Sequence, residues 1–161
     1  MKYDKKNLPK EIPLFPLPGA LLLPKSKLPL NLFEPKYLTM LDDVLKTEDR
    51  LIGMIQPVST PEGTTGTRQF HQIGCAGRVV SFNETKDGRY LITLEGISRF
   101  RFKNLTEGFF PYPRGAIHWE SFHSDLEKTQ PDNNFNRVEF LKILSKYFAA
   151  AQLSSDWSSL K

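Results

Sequence analysis

Few residues of this chain have the types and spacing that catalysis needs. The histidines are His71, His118 and His123. His118 and His123 stand five apart with Trp119 and Phe122 between them, whereas zinc sites supply more ligands at tighter spacing. The lone Cys75 excludes an internal disulfide and any multi-cysteine metal site, and its apolar surroundings read as a buried small residue. Gly63-Thr64-Thr65-Gly66 has the small residues of a phosphate loop but not the Gly-Lys-Ser/Thr that holds phosphate and metal. Asp42-Asp43 is a carboxylate pair that reads as the solvated side of a helix rather than an acid–base couple. No Gly-x-Ser-x-Gly elbow and no His-Glu-x-x-His helix is present. The residues therefore predict no catalytic centre, no metal and no cofactor.

Two stretches have residues suited to contact instead. Arg99-Phe100-Arg101-Phe102 alternates basic and aromatic side chains, a pattern that can stack on single-stranded nucleic acid. On a half-buried strand the phenylalanines face the core, and the arginines face solvent or a buried acid. That structural reading is preferred here. Phe33-Glu34-Pro35-Lys36-Tyr37 joins a strand to a helix. Glu34 stands at the helix start, where the dipole favours a carboxylate by about 0.3–1 kcal/mol, and pairing with Arg99 or Arg101 is a further expectation. Phe33, Glu34, Lys36 and Tyr37 are the candidate partner-binding residues.

The elements that position these residues follow from periodicity. Residues 1–11 are lysine-rich and read as a disordered lead-in. Ile12-Pro13-Leu14-Phe15-Pro16-Leu17 interleaves apolar residues with proline and is expected as an edge strand at best. Ala20-Leu21-Leu22-Leu23 reads as a second short strand. Leu28, Leu30 and Leu32 alternate as in a strand with one buried face. Pro35 suits the first helical position, and Tyr37, Leu38, Leu41, Val44 and Leu45 then share a helical face. Residues 51–55 form a buried strand, and residues 57–69 a long flexible surface loop.

Ile73–Phe82 is a strand in which Gly74 and Gly77 suggest a bulge. Asp87-Gly88 turns it into a return strand from Tyr90. Ile97 falls out of parity with Phe100 and Phe102, so an irregularity is expected near Gly96 to Ser98. Tyr112–Trp119 is the last strand. Residues 121–134 are a polar linker with Pro131 to Asn134 as turn and helix cap. Phe135, Val138, Leu141, Leu144 and Phe148 share a face of a late helix whose apolar surface is wide. Residues 135–161 read as an incomplete helical segment, with self-association through that face expected.

The length of 161 residues fits one domain with an appendage; the apolar fraction of 39% is somewhat low and the charged fraction of 25% ordinary. Twelve prolines and twelve phenylalanines favour short elements around an aromatic core. A net charge of +4 permits acidic partners without implying them. No signal peptide or transmembrane run is visible, so the chain reads as cytoplasmic without a membrane partner.

Several of these segments carry a resemblance. Residues 12–24, then Leu30-Asn31-Leu32-Phe33-Glu34-Pro35-Lys36-Tyr37, then Arg50-Leu51-Ile52-Gly53, Ile73-Gly74-Cys75-Ala76-Gly77, Asp87-Gly88-Arg89-Tyr90 and Leu94-Glu95-Gly96-Ile97-Ser98-Arg99-Phe100-Arg101 resemble the N-terminal domain of Lon-type ATP-dependent proteases. The likeness runs over about residues 11–119 and is nearest to free-standing bacterial proteins made of this domain alone. It implies an α+β fold: a small, curved PUA-like β-barrel over residues 12–120 with one inserted helix, followed by a C-terminal helix. It implies a non-enzymatic module that binds unfolded or flexible protein segments, without ATPase or protease residues. A PUA-like RNA-binding domain is the alternative.

Overall fold

The computed structural model describes residues 7–58, 69–127 and 135–154. The chain divides into two compact units, Met1–Glu127 and Lys128–Lys161. In the first unit, the strands are β1 (Glu11–Pro16), β2 (Lys27–Leu32), β3 (Leu51–Ile55), β4 (Ile73–Glu84), β5 (Tyr90–Leu105) and β6 (Arg114–His118). Helix α1 (Pro35–Leu45) lies between β2 and β3. The sheet order is β2-β5-β4-β3-β1-β6, and β6 also pairs with β5. The strands β5, β4, β3, β1 and β6 thus form a ring, with β2 attached outside it. One pairing, β1 with β3, is parallel and the rest are antiparallel. The architecture is a mixed sheet with few helices, α+β. No described helix is long and apolar enough to cross a membrane.

The strand β5 can serve two neighbours because it is long. Its first half, from Tyr90 to Glu95, pairs with β2, and residues Arg101–Leu105 pair with β6. The register against β4 shifts between Gly96 and Ser98, leaving Ile97 as the extra residue. The parity break at Ile97 is resolved there, as expected. Ile97 packs beside Phe100 in one core cluster with Ile12, Leu14 and Ile117. A second cluster joins Tyr37, Met40, Leu41 and Val44 of α1 to Phe15, Ile92 and Leu94. Gly96 is needed for a close approach: a Cβ there would lie 2.0 Å from the Leu23 carbonyl oxygen. At the β4–β5 hairpin, Gly88 takes a positive φ of 76°, as an Asp-Gly turn requires.

Two expectations about the early chain are corrected. The strand β1 is not an edge: β6 lies on one side and β3 on the other. Its prolines are tolerated because of where each missing N–H points. Ile117 N–H donates to the Lys10 carbonyl and Leu14 N–H to the Pro113 carbonyl, so even-numbered residues bond to β6. Pro13 therefore points to the other side, where β3 pairing begins only at Leu14. Pro16 points back toward β6, whose pairing ends at Pro13. Neither proline removes a ladder bond.

The second correction concerns Ala20 to Leu23, which is a loop and not a strand. Leu22 alone is buried, while Leu21 and Leu23 are exposed. The backbone is held by side chains instead of a ladder. Gln56 Nε2 donates to the Leu17 and Ala20 carbonyls at 3.0 and 2.6 Å, and Gly19 N–H donates to Gln56 Oε1 at 3.0 Å.

Residues 59–68, most of the expected surface loop, lie outside the described residues, as do Pro131 to Asn134. Residues Glu120–Leu126, all but the first within the polar linker expected over 121–134, form a kinked 3-10 turn. In the second unit, α2 (Arg137–Ala150) is capped by Asn136, whose side chain accepts from Glu139 N–H at 3.1 Å. No residue of α2 is buried.

Candidate functional site

The strand-to-helix joint forms as the sequence predicts. Leu32 is buried at the end of β2, Glu34 is the N-cap and Pro35 opens α1. Glu34 makes no side-chain cap bond. Its carboxylate pairs with Lys36 Nζ at 2.8 Å. The expected pairing with Arg99 or Arg101 does not occur, because β2 aligns Leu32 with Tyr90 at the far end of β5 from Arg99. Tyr37 turns into the core at 6% exposure, with its ring 4.3 Å from that of Phe15. The Lys36 ammonium sits 4.7 Å from the Tyr37 ring centroid. Phe33 is thus exposed and Glu34 and Lys36 are partly exposed, while Tyr37 lies beneath them in the core.

Phe33 is 61% exposed, beside the Arg89 guanidinium at 5.9 Å. It stands at the end of a shallow outer face. On β5, Ile92 and Leu94 are buried and Leu91 is exposed, so odd-numbered residues point outward. Opposite Leu91 are Asn31 and Asn83, and opposite Thr93 are Pro29 and Ser81. Cross-strand partners share a face. These six residues line a shallow cavity of about 440 Å³, with Phe82 also on its wall. A smaller apolar cavity of about 90 Å³ lies between Leu21, Leu23, Met54 and Ile73, with Arg99 and Cys75 also on its lining.

The remaining candidates are structural. Arg99 meets a buried acid: Asp125 accepts from its Nε at 2.9 Å, its Nη2 at 2.8 Å and its backbone N–H at 3.0 Å. Those hydrogen bonds hold the Asp125 carboxyl below the usual carboxylate range. The guanidinium also lies 4.5 Å from the Phe122 ring centroid. Phe100 is fully buried, so no base can stack on it. Arg101 donates to Ser121 Oγ at 3.0 Å.

Asp43 is not a bare solvated acid. It accepts from the Tyr112 hydroxyl at 2.8 Å, tying α1 to the approach to β6. Burial, followed by that hydrogen bond, pushes the Tyr112 hydroxyl up. Cys75 is buried, and burial pushes its thiol up to about 12. His118 faces Glu120 at 3.5 Å. Among the described residues no cluster of His, Cys, Asp and Glu is placed to hold a metal. The Gly63–Gly66 stretch lies outside the described residues. Sequence reasoning missed Leu91 and Phe82 as surface residues, because an apolar residue on a strand reads as core.

Residues 11–156 match the family model described as the ATP-dependent protease La (LON) substrate-binding domain. The chain belongs to this Lon substrate-binding domain family. Lon protease 2 of Sorangium cellulosum is 30% identical over 118 residues, covering 72% of the chain and 15% of that protein. Lon protease of Anaeromyxobacter dehalogenans is 24% identical over 153 residues, covering 92% of the chain and 18% of that protein. The Lon-family chain thus spans only a small part of the length of these relatives. The part matched is the substrate-binding domain and not a catalytic one.

The fold agrees with two solved Lon domains. The Lon N-terminal domain protein from Xanthomonas campestris superposes with a TM-score of 0.57 at 23% identity, over 86% of this chain and 73% of that one. The N-terminal domain of the Mycobacterium avium complex Lon protease gives 0.59 at 10% identity, over 89% and 70%.

Proposed function

We infer that this Lon-family chain is a non-enzymatic module that binds unfolded or flexible protein segments. It works as the substrate-recognition part of an ATP-dependent Lon protease would, with no ATPase or protease chemistry of its own. In this reading the ring of strands is a curved, PUA-like barrel, and the module operates in the cytoplasm. One observation carries the reading. Leu91, 47% exposed, stands on the outward face of β5 in a shallow cavity, and Phe33, 61% exposed, follows the cavity residue Asn31 by two positions. Large apolar side chains gathered on a polar-rimmed surface mark interaction sites. Here Asn31, Asn83, Ser81 and Thr93 supply the polar rim, and Glu34 and Lys36 follow Phe33 in the chain.

An RNA-binding reading has weaker support. Arg99, Arg114, Arg89, Lys36 and Lys46 each have a carboxylate within 3.5 Å, which breaks up a continuous basic stripe. Self-association through the exposed Val138 and Ile143 of α2 completes the proposal. Sedimentation that shows only monomer at every concentration would remove that part.

The test is fluorescence anisotropy of a labelled, permanently unfolded protein (reduced, carboxymethylated lactalbumin) titrated with the chain. Phe33→Asp and Leu91→Asp each place a charge in the contact and should weaken binding at least about tenfold. Full binding by both variants would move the site elsewhere, and no binding by the unsubstituted chain would reject the function.

A further inference from the structure

The strand β2 has one sheet neighbour among the described residues, β5, and no described strand pairs with its other edge. Which of its backbone groups lie on that edge follows from one bond. Gly96 N–H donates to the Ser26 carbonyl at 2.9 Å. The register then runs unbroken from Lys27 opposite Glu95 to Leu32 opposite Tyr90. In an antiparallel pair, bonded and non-bonded positions alternate. Leu28, Leu30 and Leu32 therefore bond to β5, and Lys27, Pro29 and Asn31 point their backbone groups away from it. Pro29 provides an independent check, because a proline at an inward position would cost a ladder bond, and at an outward one it costs none.

This outer edge thus presents the N–H and carbonyl of Lys27, the carbonyl of Pro29, and the N–H and carbonyl of Asn31. All three residues are exposed. Behind the edge, Leu28 and Leu30 are only partly buried against the core cluster of α1 and β5. An added strand would bring its own alternate side chains over them. On the opposite face, the same strand would run beside Pro29 and Asn31, which border the cavity under Leu91.

We propose that the outer edge of β2 takes an extended polypeptide segment as an added strand, through the outward backbone groups of Lys27, Pro29 and Asn31. This inference rests on the protein-binding reading above and specifies its mode: main-chain hydrogen bonds give affinity, and alternate side chains set preference. The occupant is a client segment rather than a second copy. Two copies of β2 paired antiparallel about Pro29 would set each Pro29 carbonyl against the other proline's nitrogen, which has no N–H to donate. A client residue supplies the missing N–H to the Pro29 carbonyl. Lys27 and Pro29 limit edge pairing in general, and a segment with its own N–H opposite Pro29 avoids the mismatch that a second copy centred there would meet. The preferred segment alternates apolar residues, facing Leu28 and Leu30, with small polar ones.

The probe is a fluorescein-labelled eight-residue peptide of alternating valine and threonine, assayed by anisotropy against the unsubstituted chain. An added strand uses one of its two edges. N-methylation of the amides on one edge should lower affinity at least about tenfold, and on the other edge less than about threefold. Equal affinity for the unmethylated peptide and both methylated forms overturns the proposal. Asn31→Pro, checked for an unchanged urea midpoint, removes one outward N–H and should weaken the peptide at least about fivefold. Unchanged affinity again overturns it. If unfolded lactalbumin binds and the peptide does not, strand addition fails while the protein-binding reading stands; if neither binds, both fall. Dimerisation abolished by Asn31→Pro would give the edge to a second copy and also overturn the proposal.

Discussion

The Arg99–Asp125 clamp should be the most sensitive polar contact in the first unit. The Asp125 side chain keeps 8% of its surface exposed, and its carboxylate collects three N–H donors from Arg99. Asp125→Ala leaves that guanidinium and a backbone N–H without their acceptor. Breaking a fully buried pair in this way costs about 3–5 kcal/mol. The Arg99 side chain is 43% exposed, so water replaces part of the loss and the expected cost is about 2–3 kcal/mol. With a urea m-value of about 1–3 kcal/mol/M for a domain of this size, the midpoint falls by about 1–2 M. Asp125→Asn keeps the shape and one acceptor oxygen, and should lose roughly half as much.

The pH dependence has a definite sign. The folded carboxyl lies below its ordinary value because of the Arg99 hydrogen bonds. Its stabilisation is therefore complete above the unfolded value of about 3.9 and is lost as pH falls through the lower folded value. The stability gap between the unsubstituted chain and Asp125→Asn should be flat from pH 7 to about 5 and close below about pH 4. An Asp125→Ala midpoint within about 0.3 M of the parent, or a gap that widens in acid, would refute this account of the clamp.

Three further perturbations follow from the packing. Gly96→Ala puts a Cβ 2.0 Å from the Leu23 carbonyl oxygen, and should cost more than about 3 kcal/mol in urea unfolding. Gln56→Ala removes the three hydrogen bonds that hold the Leu17–Ala20 loop; exchange of the Gly19 amide should rise by an order corresponding to about 1–3 kcal/mol, with β4 and β5 amides unaffected. Cys75, buried with its thiol pushed up to about 12, should react with Ellman's reagent at pH 8 at least about a thousandfold more slowly in the folded chain than in urea.

Local chemistry was legible where one residue type decides the outcome. Pro35 at the first helical position and the leucine alternation before it placed the β2–α1 joint. Asp87-Gly88 placed the β4–β5 turn, and the parity of Ile97 located the register shift. What failed depends on neighbours that a single chain does not display. Pro13 and Pro16 argued for an edge because the side to which each missing N–H points is set by register, not by composition. Ala20 to Leu23 read as a strand because an apolar run has no mark for exposure; the groups that fix its start come from Gln56, distant in sequence.

The site was legible in part for the same reason. Of the four residues expected to meet a partner, Phe33 is exposed and Glu34 and Lys36 partly so, but Tyr37 belongs to the core through Phe15. Leu91 could be recognised as a surface group only once the outward face of β5 was known. The alternation of Arg99 with Phe100 implied an acid partner, and nothing in the sequence singled out Asp125, 26 residues further on.

The central claim is that protein segments bind on and beside β2. Amide hydrogen exchange of the unsubstituted chain, with and without saturating unfolded lactalbumin, tests it directly. The account predicts slowed exchange at the Lys27 and Asn31 amides and in the segment from Phe33 to Lys36, with the ring strands β1, β3 and β6 unchanged. Protection confined to other elements, or none at saturation, would contradict it.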